Sequence, residues 1–262
     1  MCAYTVHGPH YEQERLTAGA PVVCPGVSAQ PECRLGVLAF GDSITNAGGD
    51  LQWGVPLHSW ALWTARALGL PYSPYATDGA TVSTVVQFQI PAFRRLAADA
   101  EAGFELGLLC VGTNDVRQPD WDAAAFAEEF GRAIGFLSAR CDRVLTLTIP
   151  VDMGRPRCVE RVEEANGAIE RVASSYGALV VDLRRFGGRS VMMADHTHPT
   201  AFGQIAIAEA AVDVLAADGL VASVRPSGLI VYETSWWGRL HADLVYAYRH
   251  LKVSLRAGLL RG

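Results

Sequence analysis

The stretch Leu35-Gly36-Val37-Leu38-Ala39-Phe40 runs directly into Gly41-Asp42-Ser43-Ile44-Thr45. Its first six residues are apolar at odd and even positions alike, the pattern of a strand covered on both faces in a parallel sheet. The polar, glycine-led block that follows is where such a strand ends and the chain turns. Outward from this segment, four more apolar runs of strand length occur at residues 72–76, 106–111, 143–149 and 178–183. Between them, residues 57–68, 90–102, 121–139 and 159–176 carry helical spacing and strong helix formers, and residues 201–217 close the series. Strand–helix alternation of this kind implies right-handed crossovers and an open α/β sheet with helices on both faces.

Composition agrees with a globular domain. Of the 262 residues, 50% are hydrophobic and 19% charged, which excludes a disordered, collagen-like or coiled-coil chain. A net charge of −5 lacks the basic footprint of a dedicated nucleic-acid binder. No apolar run approaches the roughly 18 residues that span a bilayer. The first ten residues hold no basic region, apolar segment or small-residue cleavage site, so the expected compartment is the cytoplasm. Cys2, Cys24, Cys33, Cys110, Cys141 and Cys158 show no C-x-x-C spacing. They read as reduced thiols, with a Cys24–Cys33 bridge as the weaker alternative.

Ligands in open α/β folds sit beyond the carboxyl ends of the strands. Four polar blocks fall there: Gly41-Asp42-Ser43-Ile44-Thr45, Thr77-Asp78-Gly79-Ala80-Thr81, Gly112-Thr113-Asn114-Asp115, and Asp195-His196-Thr197-His198-Pro199 before the last helix of the series. Taken alone, Ser43 reads as a helix cap, Gly79 as a turn residue and Asn114 as a cap. The four blocks in this order, each after its strand, resemble the SGNH/GDSL hydrolase superfamily over about residues 35–218. That resemblance implies a three-layer α/β/α sandwich with a central parallel sheet of about five strands, flavodoxin-like in class.

The chemistry explains the residue types. Ester cleavage needs a nucleophile, a base and donors for the oxyanion. Ser43 is the candidate nucleophile, His198 its base, and Asp195, three residues earlier, the carboxylate that orients the imidazole. The resemblance implies an oxyanion hole of the Ser43 and Gly79 backbone N–H groups and the Asn114 side-chain amide. It implies no organic cofactor and no metal. Asp42 is expected to brace the turn and Asp115 to cap or turn the chain. His196 is expected to face substrate or solvent. Arg155, Arg157, Arg184, Arg185 and Arg189 read as solvated surface residues, or as contacts for an anionic group.

The expected organisation is an irregular lead-in at 1–34, the hydrolase domain at 35–224 and a basic helical extension at 225–262. This tail holds six basic and two acidic residues. Leu240, Leu244, Ala247, Leu251 and Leu255 recur along it at helical spacing, beside Arg249, Lys252 and Arg256. It reads as a helix packed on the body or on a second subunit, or as one that docks on a membrane surface. The functional expectation is a serine esterase or deacylase acting on a short-acyl ester, such as an acetyl ester, of an intracellular small molecule. The short chain is expected because the sequence displays no long apolar lid. An acyltransferase with the same triad and a non-catalytic binding or membrane-associated module are the alternatives.

Overall fold

Five strands form one parallel sheet in the order β2-β1-β3-β4-β5: β1 (Val37–Gly41), β2 (Tyr72–Pro74), β3 (Phe104–Cys110), β4 (Cys141–Leu147) and β5 (Leu179–Val181). The computed structural model describes residues 34–49, 52, 54–96, 103–155, 157–231 and 235–259. The lead-in, Cys2, Cys24, Cys33 and the Cys24–Cys33 pairing lie outside them. Cys110, Cys141 and Cys158 are free thiols.

Alternation along β1 divides the core. Leu38 and Phe40 point to one face, against α2 (Val82–Thr84), α3 (Ile90–Leu96), α4 (Ala123–Ser138) and α5 (Val159–Ser175). Val37 and Ala39 point to the other, against α1 (Trp60–Leu68) and α6 (Ala201–Ala217). All four side chains are fully buried, which is why β1 carries no polar residue before Gly41. The result is the expected three-layer α/β/α sandwich. Its strand order reverses direction between β1 and β3, so a crevice opens beyond their carboxyl ends.

Local chemistry sets the helix ends. The Ser59 hydroxyl accepts from the Leu62 N–H at the start of α1, and Gly69 closes that helix in the left-handed region. Asp122 caps α4 through the Ala124 and Ala125 N–H groups, and Thr200 caps α6 through the Gly203 N–H.

One helix starts earlier than its spacing predicts. Thr81 and Thr84 form a capping box, and the helix runs from Val82 through a π segment (Val85–Gln89) into α3. Val82, Val85, Ile90 and Phe93 all reach the core. The five-residue step between Val85 and Ile90 is the π insertion, and it hides the helical period in the sequence. Residues 97–102 at its expected end lie outside the described residues.

The tail forms α7 (Trp236–Leu259), which belongs to the same compact unit, residues 32–262, as the sheet. The expected stripe is not the face that meets the body. Leu244, Leu251 and Leu255 are exposed, whereas Ala242, Val245 and Tyr246 are half-buried. Among the described residues no helix is long and apolar enough to cross a membrane.

Candidate active site

The site begins with a glycine that has no substitute. Gly41 ends β1 at φ +152°, and a Cβ there would lie 2.6 Å from the Cys110 carbonyl and 2.7 Å from the Thr45 hydroxyl. The chain then coils tightly. The Asp42 carboxylate accepts from the Ile44 N–H at 2.9 Å, and the Asp42 carbonyl accepts from the Thr45 and Asn46 N–H groups. This is the turn-bracing role expected of Asp42. It lifts Ser43 out of the sheet edge with its hydroxyl facing the last loop.

Two buried glutamines hold this turn from opposite sides of the sheet. The Gln89 amide accepts from the Gly41 N–H at 3.0 Å and donates to the Gly41 carbonyl at 2.8 Å. Gln204, in α6, donates to the Ile44 carbonyl at 3.0 Å and accepts from the Trp60 N–H at 2.7 Å. The Trp60 indole N–H reaches the Thr45 hydroxyl at 3.2 Å. None of these three side chains stands out as functional in the sequence. The one available signal is a glutamine set among core-facing apolar residues, which must find a polar partner when buried.

The loop before α6 brings the base. The Ser43 Oγ and His198 Nε2 are 2.9 Å apart, and His198 Nδ1 lies 2.7 Å from the Asp195 carboxylate. The other Asp195 oxygen accepts from the Thr197 and His198 N–H groups at 2.9 and 3.0 Å. The three-residue spacing therefore lets one carboxylate fold its own loop and aim the imidazole. Burial raises the Asp195 pKa, but the bonds from His198 and the two amides outweigh it, and the carboxyl stays below its usual range. The Asp195 hydrogen bond raises the His198 pKa above 6.5, against the opposing effect of burial.

Gly79 and Asn114 approach the same edge. Gly79 sits in a turn at φ +73°, and a Cβ there would meet nothing within 4 Å. The Asn114 amide donates to the Ala80 carbonyl at 3.0 Å, joining the two loops. Asn46 reaches the Asp78 carboxylate at 2.9 Å and ties the serine turn to the glycine loop. Among the described residues, neither the Ser43 nor the Gly79 N–H donates to a protein acceptor. Behind them Asp115 accepts from the Val82 N–H at 2.9 Å, the capping role expected of it. Burial pushes the Asp42 carboxyl up to about 7 and that of Asp115 up to about 6.

The other expectations divide. His196 adopts φ +56°, is half-buried and lines a cavity of about 130 Å³ with Asp152, Met153 and Tyr246; its ring lies edge-on to His250 in α7 and 3.3 Å from the Arg155 guanidinium. Arg155 and Arg157 pair with Asp152, Arg184 with Glu170 and Asp182, and Arg189 with Asp243. Arg117, unremarked in the sequence, donates to the Thr197 hydroxyl at 2.9 Å.

Hydroxyl, imidazole and carboxylate in series at the carboxyl edge of a parallel sheet define a serine hydrolase type of site. Residues 39–205 match the model of the GDSL-like lipase/acylhydrolase family; the chain belongs to that family and is a serine ester hydrolase. Its fold is similar to that of LAE5, an alpha/beta hydrolase from the metagenome of Lake Arreo, Spain, at 21% identity. That match covers 73% of this chain and 98% of LAE5, with a TM-score of 0.54. It is also similar to Axe2, an acetylxylan esterase from Geobacillus stearothermophilus, at 17% identity, 72% and 99% coverage and a TM-score of 0.54. A member of the lipolytic protein G-D-S-L family from Veillonella parvula matches at 24% identity, 69% and 97% coverage and the same TM-score of 0.54. At these identities the likeness speaks for the fold. No curated protein matches the chain in sequence.

Proposed function

We propose that the chain hydrolyses a short-acyl ester through an acyl-enzyme on Ser43. The observation that carries this reading is the continuous hydrogen-bonded series Ser43–His198–Asp195, at 2.9 and 2.7 Å. The Ser43 Oγ attacks the carbonyl carbon as His198 Nε2 takes its proton. The carbonyl oxygen becomes an oxyanion, held by the Ser43 and Gly79 N–H groups and the second Asn114 amide proton. When the oxyanion collapses, the bond to the alkoxy oxygen breaks and His198 returns the proton to the departing alcohol. Water, deprotonated by His198, then attacks the acyl carbon, and collapse releases the acid and restores the Ser43 hydroxyl. Asp195 remains ionised throughout and stabilises the imidazolium. Each oxyanion donor contributes about 10²–10³ in rate.

One observation favours a short acyl group. Among the structural neighbours, Axe2 is an acetylxylan esterase. The test compares hydrolysis of p-nitrophenyl acetate, butyrate and octanoate by wild type and Ser43→Ala. The expected result is a preference for acetate and a loss of at least about 10³-fold in the mutant. Equal activity of the two proteins would remove Ser43 from the mechanism. Activity only when an acceptor alcohol is added, with the acyl group recovered on it, would identify an acyltransferase.

A further inference from the structure

A groove of about 760 Å³ runs between α7 and the loops that flank the triad. On the body side it is lined by Gly49, Leu57, Met193 and Ala194, and on the helix side by Ala242, Val245 and Tyr246. Its near end adjoins His198. The Met193 N–H donates to the His198 carbonyl at 2.9 Å, and a Cβ on Gly48, beside Gly49, would lie 3.1 Å from His198 Cδ2. None of Ser43, His198, Gly79 and Asn114 lines it; Gly49 and Met193 bring it to the loops that hold His198.

This placement decides which half of an ester the groove can receive. In the acyl-transfer step the alkoxy oxygen must lie within hydrogen-bond reach of the His198 Nε2 that protonates it. The leaving alcohol therefore departs on the imidazole side, the side on which Gly49 and Met193 lie, and the oxyanion sits on the other. The volume falls in the range of about 300–1,000 Å³ typical of small-molecule sites, far beyond the needs of methanol or ethanol. Leu57, Met193, Ala194, Ala242, Val245 and Tyr246 make its surface predominantly apolar. The helical wall lies beyond the matched family region, which ends at residue 205.

Resting on the esterase reading, we infer that the groove is the leaving-group site. Helix α7 there selects esters of a large apolar alcohol. The helix is suited to this by its spacing: Gly238, Ala242, Val245, Tyr246 and Arg249 fall on one face at intervals of about one turn and all line the groove. It is fixed against the body by the Arg189–Asp243 ion pair, by Arg189 over the Tyr246 ring at 5.5 Å, and by the His196–His250 ring contact at 5.4 Å.

The test holds the acyl group at acetyl and varies an alkyl alcohol, so that leaving-group acidity stays nearly constant. For the full-length wild type, kcat/KM for octyl acetate exceeds that for ethyl acetate by at least about tenfold, the effect of filling an apolar pocket. Val245→Trp and Ala242→Trp, which fill the groove, cut that ratio at least about tenfold. Val245→Ala, which cannot overpack, moves the preference toward longer alcohols. Leu251→Ser, on the exposed face, leaves the ratio unchanged. A wild type indifferent to alcohol length, or a preference that survives both tryptophans in folded protein, overturns the inference. Binding of 1-naphthol, followed by its fluorescence, gives a readout independent of hydrolysis. If wild type cleaves no ester yet binds naphthol, and the tryptophan variants do not, the esterase reading fails and the groove assignment stands as an apolar-alcohol site. Naphthol binding unaffected by both tryptophans refutes that assignment.

Discussion

The serine turn and the α7 wall are held in opposite ways. Ser43 follows a glycine that tolerates no side chain, in a turn gripped from both layers by the buried amides of Gln89 and Gln204. Helix α7 is held through surface groups, among them an ion pair whose two side chains are 57% and 49% exposed. Buried hydrogen bonds have no competing water and are costly to leave half-made, so they fix a position. Exposed pairs contribute little and let an element shift. The chemistry thus stands on the rigid region and the selection of the alcohol on the adjustable one.

The largest effect comes from disturbing the rigid side at the triad. Asp195→Asn keeps the shape but loses the charge that fixes the imidazole, and kcat falls by up to about 10⁴-fold. The same change tests the pH dependence. His198 acts as a base only when neutral, and its pKa is raised by Asp195, so the acid limb of kcat/KM in wild type lies above pH 6.5. In Asp195→Asn that limb moves to lower pH. A limb that stays in place would mean a different group is titrating.

Next in size is the grip on the turn. Gln204→Leu leaves the Ile44 carbonyl and the Trp60 N–H without a partner, and each costs about 1–3 kcal/mol. The melting temperature is expected to fall by about 5–15 °C, with a drop in kcat and little change in KM. A mutant with normal melting and normal kcat would break the contrast, since the turn would then hold itself.

These differences also mark what was legible in the sequence. Ser43, Asp195 and His198 were, because each lies in a short linear block whose spacing carries its geometry. The sheet and four of its flanking helices were, because burial on both faces leaves unbroken apolar runs. Gln89 and Gln204 were not, because their partners lie 48 and 160 residues away. The start at Val82 was hidden by the π segment. Of the arginines at 155–189, Arg185 is exposed and Arg155 and Arg157 pair with Asp152 in their own loop, whereas Arg184 and Arg189 meet acidic partners on other elements, Glu170 and Asp243. Helix α7 misled because it is apolar on more than one side. Spacing reveals that a stripe exists, and only the body decides which stripe turns inward, so the apolar wall of the groove could not be read from spacing alone.

A smaller effect separates the two regions by pH. Asp42 titrates near 7 in the folded chain against an ordinary 3.8, chiefly through burial, with Asp115 adding to the shift and His198 opposing it. A raised carboxyl pKa leaves the folded state unpenalised below about 3.8, and stability declines as pH rises through about 7. Asp42→Asn removes that slope, so its melting temperature gains on wild type between pH 5 and pH 8. A gap that is constant with pH would show that Asp42 does not titrate there.

The smallest effect is expected at the tether of α7. Arg189→Ala removes the pair with Asp243 and the cation over Tyr246, yet an exposed pair contributes only about 0–1 kcal/mol. Global melting should move by no more than about 2 °C. The local consequence is sharper. Hydrogen exchange at the amides of residues 238–250 should quicken by up to about fivefold, while those of β1 keep their protection. Such a result would separate the helix from the body as an independently opening unit and explain how a groove of fixed chemistry can admit alcohols of differing shape. If β1 and α7 accelerate together, the two regions unfold as one, and selectivity would have to reside in the lining residues rather than in the mobility of the wall.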